Sequence, residues 1–198
     1  AVKKVVGYMP DNVGFYDNMS ALENLMYIGE LNGIPRSEVK EDAIEVMEMV
    51  GLPEEAIHKK TAAYSRGMKQ RLGLAEVLIK KPQVVILDEP TLGIDPRGVK
   101  EILSLILRFS REKGLTVLLS SHHLHQVQQV CDRVGIFVNG KLLIEGDIAS
   151  LSNRLFTGKS FEVNVTFQNP IDLPWKHETE LLQFSSIKEV TVEAHEAW

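Results

Sequence analysis

Continuous apolar runs alternate along the chain with segments of helical spacing. The segments VVILD (84–88) and LTVLLSS (115–121) are rich in branched apolar residues, which is typical of strands buried on both faces of a sheet. Residues 95–114 between them show helical spacing, with Pro96 in the first turn and Gly114 at the end. Because consecutive strands joined by a helical crossover pair in parallel, the pattern predicts an α/β fold with a parallel sheet.

Helical spacing dominates the region that precedes these runs. Ser20 begins a capping box, which predicts a helix that continues to Gly33. A second helix is predicted over residues 37–51, and a third begins after Ser65. We therefore expect a helical subdomain over about residues 18–80.

The pattern of apolar and polar residues changes after the α/β region. A hairpin with an Asn139-Gly140 turn is predicted over residues 133–146. Beyond it, strand, helix and strand patterns predict the start of a small C-terminal α/β domain. The expected division is a partial first domain over 1–147, a linker over 148–160 and an incomplete accessory domain over 161–198.

Composition narrows the classes of protein that the chain can represent. A formal net charge of −5 and a pI near 5.7 argue against a surface that binds nucleic acid. The single cysteine, Cys131, excludes an internal disulfide and indicates a reducing compartment. No apolar run reaches the roughly 18 residues that a membrane span requires. The chain opens inside a predicted strand without a starting Met, so we interpret its first residue as a cut inside a larger protein.

Two adjacent carboxylates, Asp88 and Glu89, follow the apolar run at 84–88. Charges at the end of a buried strand are costly unless a ligand or partner uses them. Acids at this edge of an α/β sheet lie where ligands bind, and phosphate-transfer ATPases use such a pair. Asp88 would hold Mg²⁺, usually through water, and Glu89 would polarise the attacking water. The alternative is a strand that ends in a solvated turn.

Three further features accompany this acid pair. Ser65 and Gly67 at a helix start offer a hydroxyl and free N–H groups to an anion, although they also suit an ordinary capped helix. Asp95 precedes Pro96 and is alternatively a helix N-cap. His122 follows the next strand and could reach the same edge of the sheet, although a lone histidine is more often structural. Zinc binding by the histidines of residues 122–125 is a weaker alternative, since no third ligand is evident.

Over about residues 3–147, the order and spacing of these segments resemble the ATP-binding cassette (ABC) family, the nucleotide-binding ATPases of ABC transporters. The resemblance implies the following site residues: Asp88 as the magnesium ligand; Glu89 and His122 as catalytic residues; Ser65, Arg66, Gly67 and Met68 as signature residues that bind nucleotide in trans; Asp95 in the D-loop; Asp11 at the Q-loop position. In the family, the position of Glu89 holds the base, and that of His122 senses the γ-phosphate.

The chain departs from the family pattern at several positions. In the signature motif, Tyr64 replaces Leu, Arg66 replaces the first Gly and Met68 replaces Gln. Arg66 thereby adds a cation close to the nucleotide. At the Q-loop position Asp11 replaces Gln, which places the usual role of that glutamine in doubt.

By this resemblance, the fold is a P-loop NTPase-type parallel sheet with a helical subdomain, truncated at its N-terminus. The implied cofactors are ATP and Mg²⁺. The implied partners are transmembrane permease subunits of an exporter-like transporter and a second ATPase subunit in a homodimer, without nucleic acid. The implied location is cytoplasmic, peripheral at the cytoplasmic face of the membrane.

The phosphate-cradling loop of this family, G-x-x-x-x-G-K-[ST], does not occur in the 198 residues. Two partial matches begin at Gly135, where Leu142 replaces the hydroxyl residue, and at Gly93, where Val99 replaces the Lys. We therefore expect this chain to bind ATP weakly or not at all. Two other readings stay open: a soluble ABC ATPase that acts on DNA or ribosomes, and a non-catalytic interaction module.

Overall fold

A computed structural model describes residues 5–148 together with residues 150 and 151. The chain divides into two compact units, Ala1–Val134 and Gly135–Trp198, and each is described by itself. The strands and helix expected over 161–198 lie outside the described residues, and the predicted domain boundaries stay predictions.

The first unit combines helices with a three-stranded sheet. The helices are α1 (Ala21–Leu31), α2 (Val39–Met49), α3 (Glu54–Ile57), α4 (Arg66–Leu78), α5 (Pro96–Lys113) and α6 (Leu124–Val130). The strands are β1 (Val6–Met9), β2 (Val84–Asp88) and β3 (Thr116–Ser120). They pair in parallel in the order β1-β2-β3, which confirms the predicted parallel α/β sheet.

The helices begin and end at the predicted capping residues. Ser20 and Glu23 form the capping box of α1, with the Ser20 N–H donating to Glu23 Oε2 at 2.7 Å. Ser65 and Asp95 are the N-caps of α4 and α5. Gly114 ends α5 in the left-handed conformation with φ 66°, which a residue without Cβ adopts at little cost. The capping box and the helix end predicted from these residues are confirmed.

One face of the sheet carries the core of the α/β region. Val85 and Leu87 of β2 pack with Leu74 of α4, Ile106 of α5 and Val117 of β3 around a small apolar gap. Close approach of α4 to β1 requires Gly7, because a Cβ at that position would lie 2.4 Å from Val77 Cγ1.

The opposite face of the sheet corrects one prediction. Tyr8, Ile86 and Leu118 are in register across the three strands, and Tyr8 and Leu118 are 54% and 61% exposed. The prediction that β2 and β3 are buried on both faces is therefore wrong for the described residues. The physical reason is that α4 and α5 pack on the same face of the sheet, and β1 and β3 are the edge strands of the described part.

Helices α1 to α4 lie within the range predicted for a helical subdomain. Their shared core includes Leu25, Met47 and Leu72, each 0% exposed. Burial of an apolar side chain of this size stabilises a fold by about 1.5–3 kcal/mol. Gly29 of α1 allows α2 to approach closely, since a Cβ there would lie 2.4 Å from Val39 Cγ2.

The predicted hairpin is also confirmed. Strands β4 (Val134–Val138) and β5 (Lys141–Gly146) form a two-stranded sheet. Asn139 and Gly140 in the turn have φ values of 49° and 74°, as a type I′ turn requires. Within the described part of the chain, no helix has the length and apolar character needed to cross a bilayer.

Candidate functional site

The carboxyl ends of β2 and β3 bring Asp88 and Glu89 beside Ser120. Asp88 and Ser120 are register partners, and the Ser120 hydroxyl donates to Asp88 Oδ1. The Glu89 N–H lies 3.2 Å from both the carbonyl oxygen and the hydroxyl oxygen of Ser120. The two acids are therefore held at the sheet edge that the sequence predicted, by a serine that sequence reasoning missed.

Glu89 and His122 form the second set of contacts at this edge. Glu89 Oε1 accepts from the His122 N–H at 3.0 Å and lies 2.8 Å from His122 Nδ1. With Glu89 ionised, Nδ1 carries the proton, because a carboxylate only accepts hydrogen bonds. Glu89 Oε2 is buried and has no partner among the described residues.

The backbone of Glu89 is held in a conformation that non-glycine residues rarely adopt. Its φ of 45° lies in the left-handed region, and such a conformation costs on the order of 1–3 kcal/mol unless the surroundings enforce it. Here the Glu89 N–H is bound by Ser120, its carboxylate by His122, and its carbonyl accepts from the Leu92 N–H at 3.0 Å. Strain of this kind is concentrated at functional sites, which supports a functional role for the acid.

The loop after Glu89 is fixed at both of its ends. The buried Thr91 hydroxyl donates to Gln126 Oε1 of α6 at 2.6 Å. Asp95 Oδ1 accepts from the N–H groups of Arg97 and Gly98 at 3.1 and 3.0 Å. These hydrogen bonds hold the pKa of Asp95 below its usual range, and the bond from the Gly98 N–H has the largest effect. The N-cap alternative for Asp95 is thus observed within this chain.

The predicted signature residues lie at the start of α4. Ser65 Oγ accepts from the Met68 N–H at 3.3 Å, so this serine caps the helix. Gly67 and Met68 are partly exposed there. Arg66 turns away from the helix, and its Nε donates to the Leu92 carbonyl at 2.9 Å. Its Nη2 lies 3.4 Å from the carbonyl oxygen of Asp11.

The structure thus assembles the predicted residues into two groups. Asp88, Glu89 and His122 meet at the sheet edge, joined by Ser120. Residues 65–68 lie instead with Asp11 and the loop after Glu89, through the contacts of Arg66. A signal for Ser120 was present, since a polar residue at the end of the neighbouring strand reaches the same edge. No sequence signal indicated that Arg66 would bind main-chain oxygens.

The donor set of this edge fits magnesium with a nucleotide better than a protein-only metal site. In the described residues, no three His, Cys, Asp or Glu side chains converge on one point, so the zinc alternative lacks support. Mg²⁺ is ordinarily held by one or two carboxylates with waters and substrate phosphates. Asp88 offers such a carboxylate, and Glu89 adds a second carboxylate next to it in the chain.

Tyr64, which precedes the signature serine, provides a prediction for stability against pH. Its hydroxyl donates to the Ala56 carbonyl at 2.7 Å, and burial raises its pKa to about 12. Since the fold favours the neutral phenol, this stabilisation is complete below about pH 10 and is lost as the pH rises towards 12. The loss amounts to roughly 1–3 kcal/mol. Tyr64→Phe should lower the free energy of unfolding by about 1 kcal/mol at neutral pH. The free energy of unfolding of this variant should decline less steeply above pH 10, as measured by urea unfolding. Parallel stability curves for the two proteins would contradict this assignment.

Known proteins resemble the chain in both sequence and fold. Residues 1–92 match the family described as ABC transporter. The bacitracin transport ATP-binding protein BcrA of Bacillus licheniformis is 42% identical over 165 residues, which cover 83% of this chain and 52% of that protein. The linearmycin resistance ATP-binding protein LnrL of Bacillus subtilis (strain 168) is 39% identical over 153 residues, which cover 77% and 49%. The chain spans about half the length of these curated relatives.

Solved structures agree with this match. The structure of cbiO1 from Clostridium perfringens, part of the ABC transporter complex cbiONQ, has a TM-score of 0.65 and 29% identity, with 79% of this chain and 61% of that chain covered. The dimeric post-hydrolysis structure of the ATP-binding cassette MJ0796 bound to ADP and Pi has a TM-score of 0.64 and 23% identity, with 72% and 62% covered.

The fold is therefore that of the α/β ATP-binding cassette. The chain belongs to the ABC transporter ATP-binding protein family.

Proposed function

We propose that the protein is the ATP-binding and ATP-hydrolysing subunit of an ABC transporter, and that it couples hydrolysis to transport through separate membrane subunits. The observation that carries this proposal is the strained Glu89, held by His122 beside Asp88 at the carboxyl end of β2. A carboxylate held in one orientation beside a candidate metal ligand suits the polarisation of a water molecule.

The proposed roles follow the placement of the side chains. Asp88 holds Mg²⁺ through its carboxylate, and the bound ion would supply charge neutralisation at the phosphates. Glu89 orients and polarises the attacking water, and its bonds to His122 maintain the orientation of both side chains. We propose that His122, whose side chain is 58% exposed, senses the γ-phosphate.

The remaining predicted residues serve the contact with a second copy of the chain. We propose that the signature residues Ser65, Gly67 and Met68 face the nucleotide of the partner copy, with Arg66 beside them at the start of α4, and that Asp95 lies near the dimer interface. Asp11 takes the Q-loop position. The names of BcrA and LnrL, which refer to bacitracin transport and linearmycin resistance, support an exporter-like system. The protein would then act at the cytoplasmic face of the membrane, bound to permease subunits.

Biochemistry of the full-length gene product tests this proposal. We expect Mg²⁺-dependent ATP hydrolysis, a dimer that forms with ATP, and co-purification with a transmembrane subunit encoded nearby. Hydrolysis without any membrane partner would favour a soluble ABC ATPase. The absence of both nucleotide binding and hydrolysis would favour an interaction module.

The isolated chain of 198 residues should bind ATP weakly or not at all. Its residues contain no G-x-x-x-x-G-K-[ST] loop to surround the β- and γ-phosphates, and the net charge of −5 repels the nucleotide. Titration calorimetry with Mg²⁺-ATP should therefore show no saturable heat at micromolar nucleotide. Submicromolar binding by the chain would contradict the prediction, and the full-length gene product is the positive control.

A further inference from the structure

The guanidinium of Arg66 binds main-chain oxygens from two separate loops. Its Nε donates to the Leu92 carbonyl at 2.9 Å, and its Nη2 lies 3.4 Å from the Asp11 carbonyl. No carboxylate of the described residues forms an ion pair with it. The planar donor fork of arginine can serve both carbonyls at once, which a single ammonium does less well.

Helix stability does not explain the presence of Arg66. The residue is the first of α4, and the first turn of that helix contains no acid. A cation at a helix N-terminus is disfavoured by the helix dipole. The side chain must therefore be accounted for by what it contacts outside α4.

Gly93 shows that space is reserved for the Arg66 side chain. Gly93 has a φ of 72°, and a Cβ on it would lie 2.9 Å from Arg66 Nε and 3.2 Å from Arg66 Cδ. The same loop approaches α4 again at Ile94, whose Cγ2 would lie 3.9 Å from a Cβ on Gly67. The loop is thus packed against the start of α4 on both sides of Gly93.

Leu92 connects these contacts to the strained acid. Its carbonyl accepts from Arg66, and its N–H donates to the Glu89 carbonyl at 3.0 Å. We propose that Arg66 is a positioning residue, which holds the loop Glu89–Asp95 against the start of α4 and thereby keeps the Glu89 carboxylate in place. This inference rests on the proposed function of Glu89 for its effect on hydrolysis.

A consequence follows for the proposed dimer. Residues 65–68 and Glu89 of one chain would then serve different nucleotides. Because Arg66 joins the start of α4 to the loop that carries Glu89, a displacement at one nucleotide would be transmitted to the acid at the other.

The experiment compares Arg66→Ala, Arg66→Lys and Gly93→Ala in the full-length gene product. We expect kcat for ATP hydrolysis to fall by about 10-fold in Arg66→Ala, because small misplacements of a catalytic group are costly. The KM for ATP should change by less than about 2-fold, as an interaction made only in the transition state requires. Amide hydrogen exchange at Leu92 to Asp95 should accelerate by roughly 10-fold. Arg66→Lys should restore neither the kcat nor the slow amide exchange of the unmodified protein.

Gly114→Ala is the matched control for Gly93→Ala. Both glycines have positive φ, 66° and 72°, but a Cβ on Gly114 meets no atom within 4 Å. Gly93→Ala should reproduce Arg66→Ala, whereas Gly114→Ala should retain the kcat and the loop exchange of the unmodified protein.

Three outcomes would decide against the proposal or for it. Unchanged exchange in Arg66→Ala overturns it, and so does a variant in which only the KM for ATP rises, since Arg66 would then bind nucleotide. If the unmodified protein does not hydrolyse ATP, the proposed function fails, but faster exchange in Arg66→Ala and Gly93→Ala with no change in Gly114→Ala still supports the positioning role.

Discussion

Glu89→Gln is expected to lower the rate of ATP hydrolysis by the full-length gene product by about 10²–10⁴-fold. Glutamine has nearly the shape of glutamate and can still accept from the His122 N–H, which lies 3.0 Å from Glu89 Oε1. It has no negative charge with which to polarise a water molecule. The substitution therefore removes the proposed base and leaves the local geometry largely unchanged.

Steady-state kinetics with ATP measure this effect, and nucleotide binding separates it from misfolding. ATP affinity should be retained, and an ATP-bound dimer should accumulate because hydrolysis no longer ends it. Glu112→Gln on the exposed side of α5 removes the same charge and should leave the rate unchanged. A hydrolysis rate in Glu89→Gln within a few-fold of the unmodified protein would refute the assignment of the base.

Asp88→Asn should reduce hydrolysis by at least roughly 100-fold, because a bound metal contributes several kcal/mol of charge stabilisation. Asp88 lies at the end of β2 as the register partner of Ser120, whose hydroxyl donates to its Oδ1. An amide is a much weaker ligand than a carboxylate for a hard divalent cation. The Mg²⁺ concentration for half-maximal activity should rise accordingly.

Ser120→Ala provides the graded comparison for Asp88. Removal of the hydroxyl leaves the carboxylate but frees its orientation, and loss of such a supporting contact typically costs about 10–100-fold. We expect an activity between those of the unmodified protein and Asp88→Asn, with part of the loss recovered at high Mg²⁺. An Asp88→Asn protein with an unchanged Mg²⁺ requirement would exclude Asp88 as the ligand.

Local signals predicted the secondary structure well, because caps and helix ends depend on neighbouring residues. Ser20, Asp95 and Gly114 each act within a few residues of their own position, and the structure shows each where the pattern predicted it. The burial of the strands depends on which helices cover which face, and this is a long-range property. Leu118, expected inside the sheet, is accordingly 61% exposed.

The candidate site likewise combines features that the sequence predicted with features that depend on long-range contacts. The position of Asp88, Glu89 and His122 after parallel strands was sufficient to predict that they meet at one edge. Three features were not predictable, since each depends on partners far away in the chain. They are the strained φ of Glu89, the contacts of the Ser120 hydroxyl with Asp88 and Glu89, and the hydrogen bond from Arg66 to the Leu92 carbonyl.

Spacing and capping are local and strand ends share an edge, so the parallel α/β class, the capped helices and the acids at the strand end could be predicted from the order of residues alone. Long-range packing was needed to show which face of the sheet is covered and which atoms hold Glu89. It also showed that Arg66 joins the start of α4 to the loop after that acid. Such contacts depend on side-chain directions between elements up to 55 residues apart, as between Arg66 and Asp11, and no local pattern specifies them.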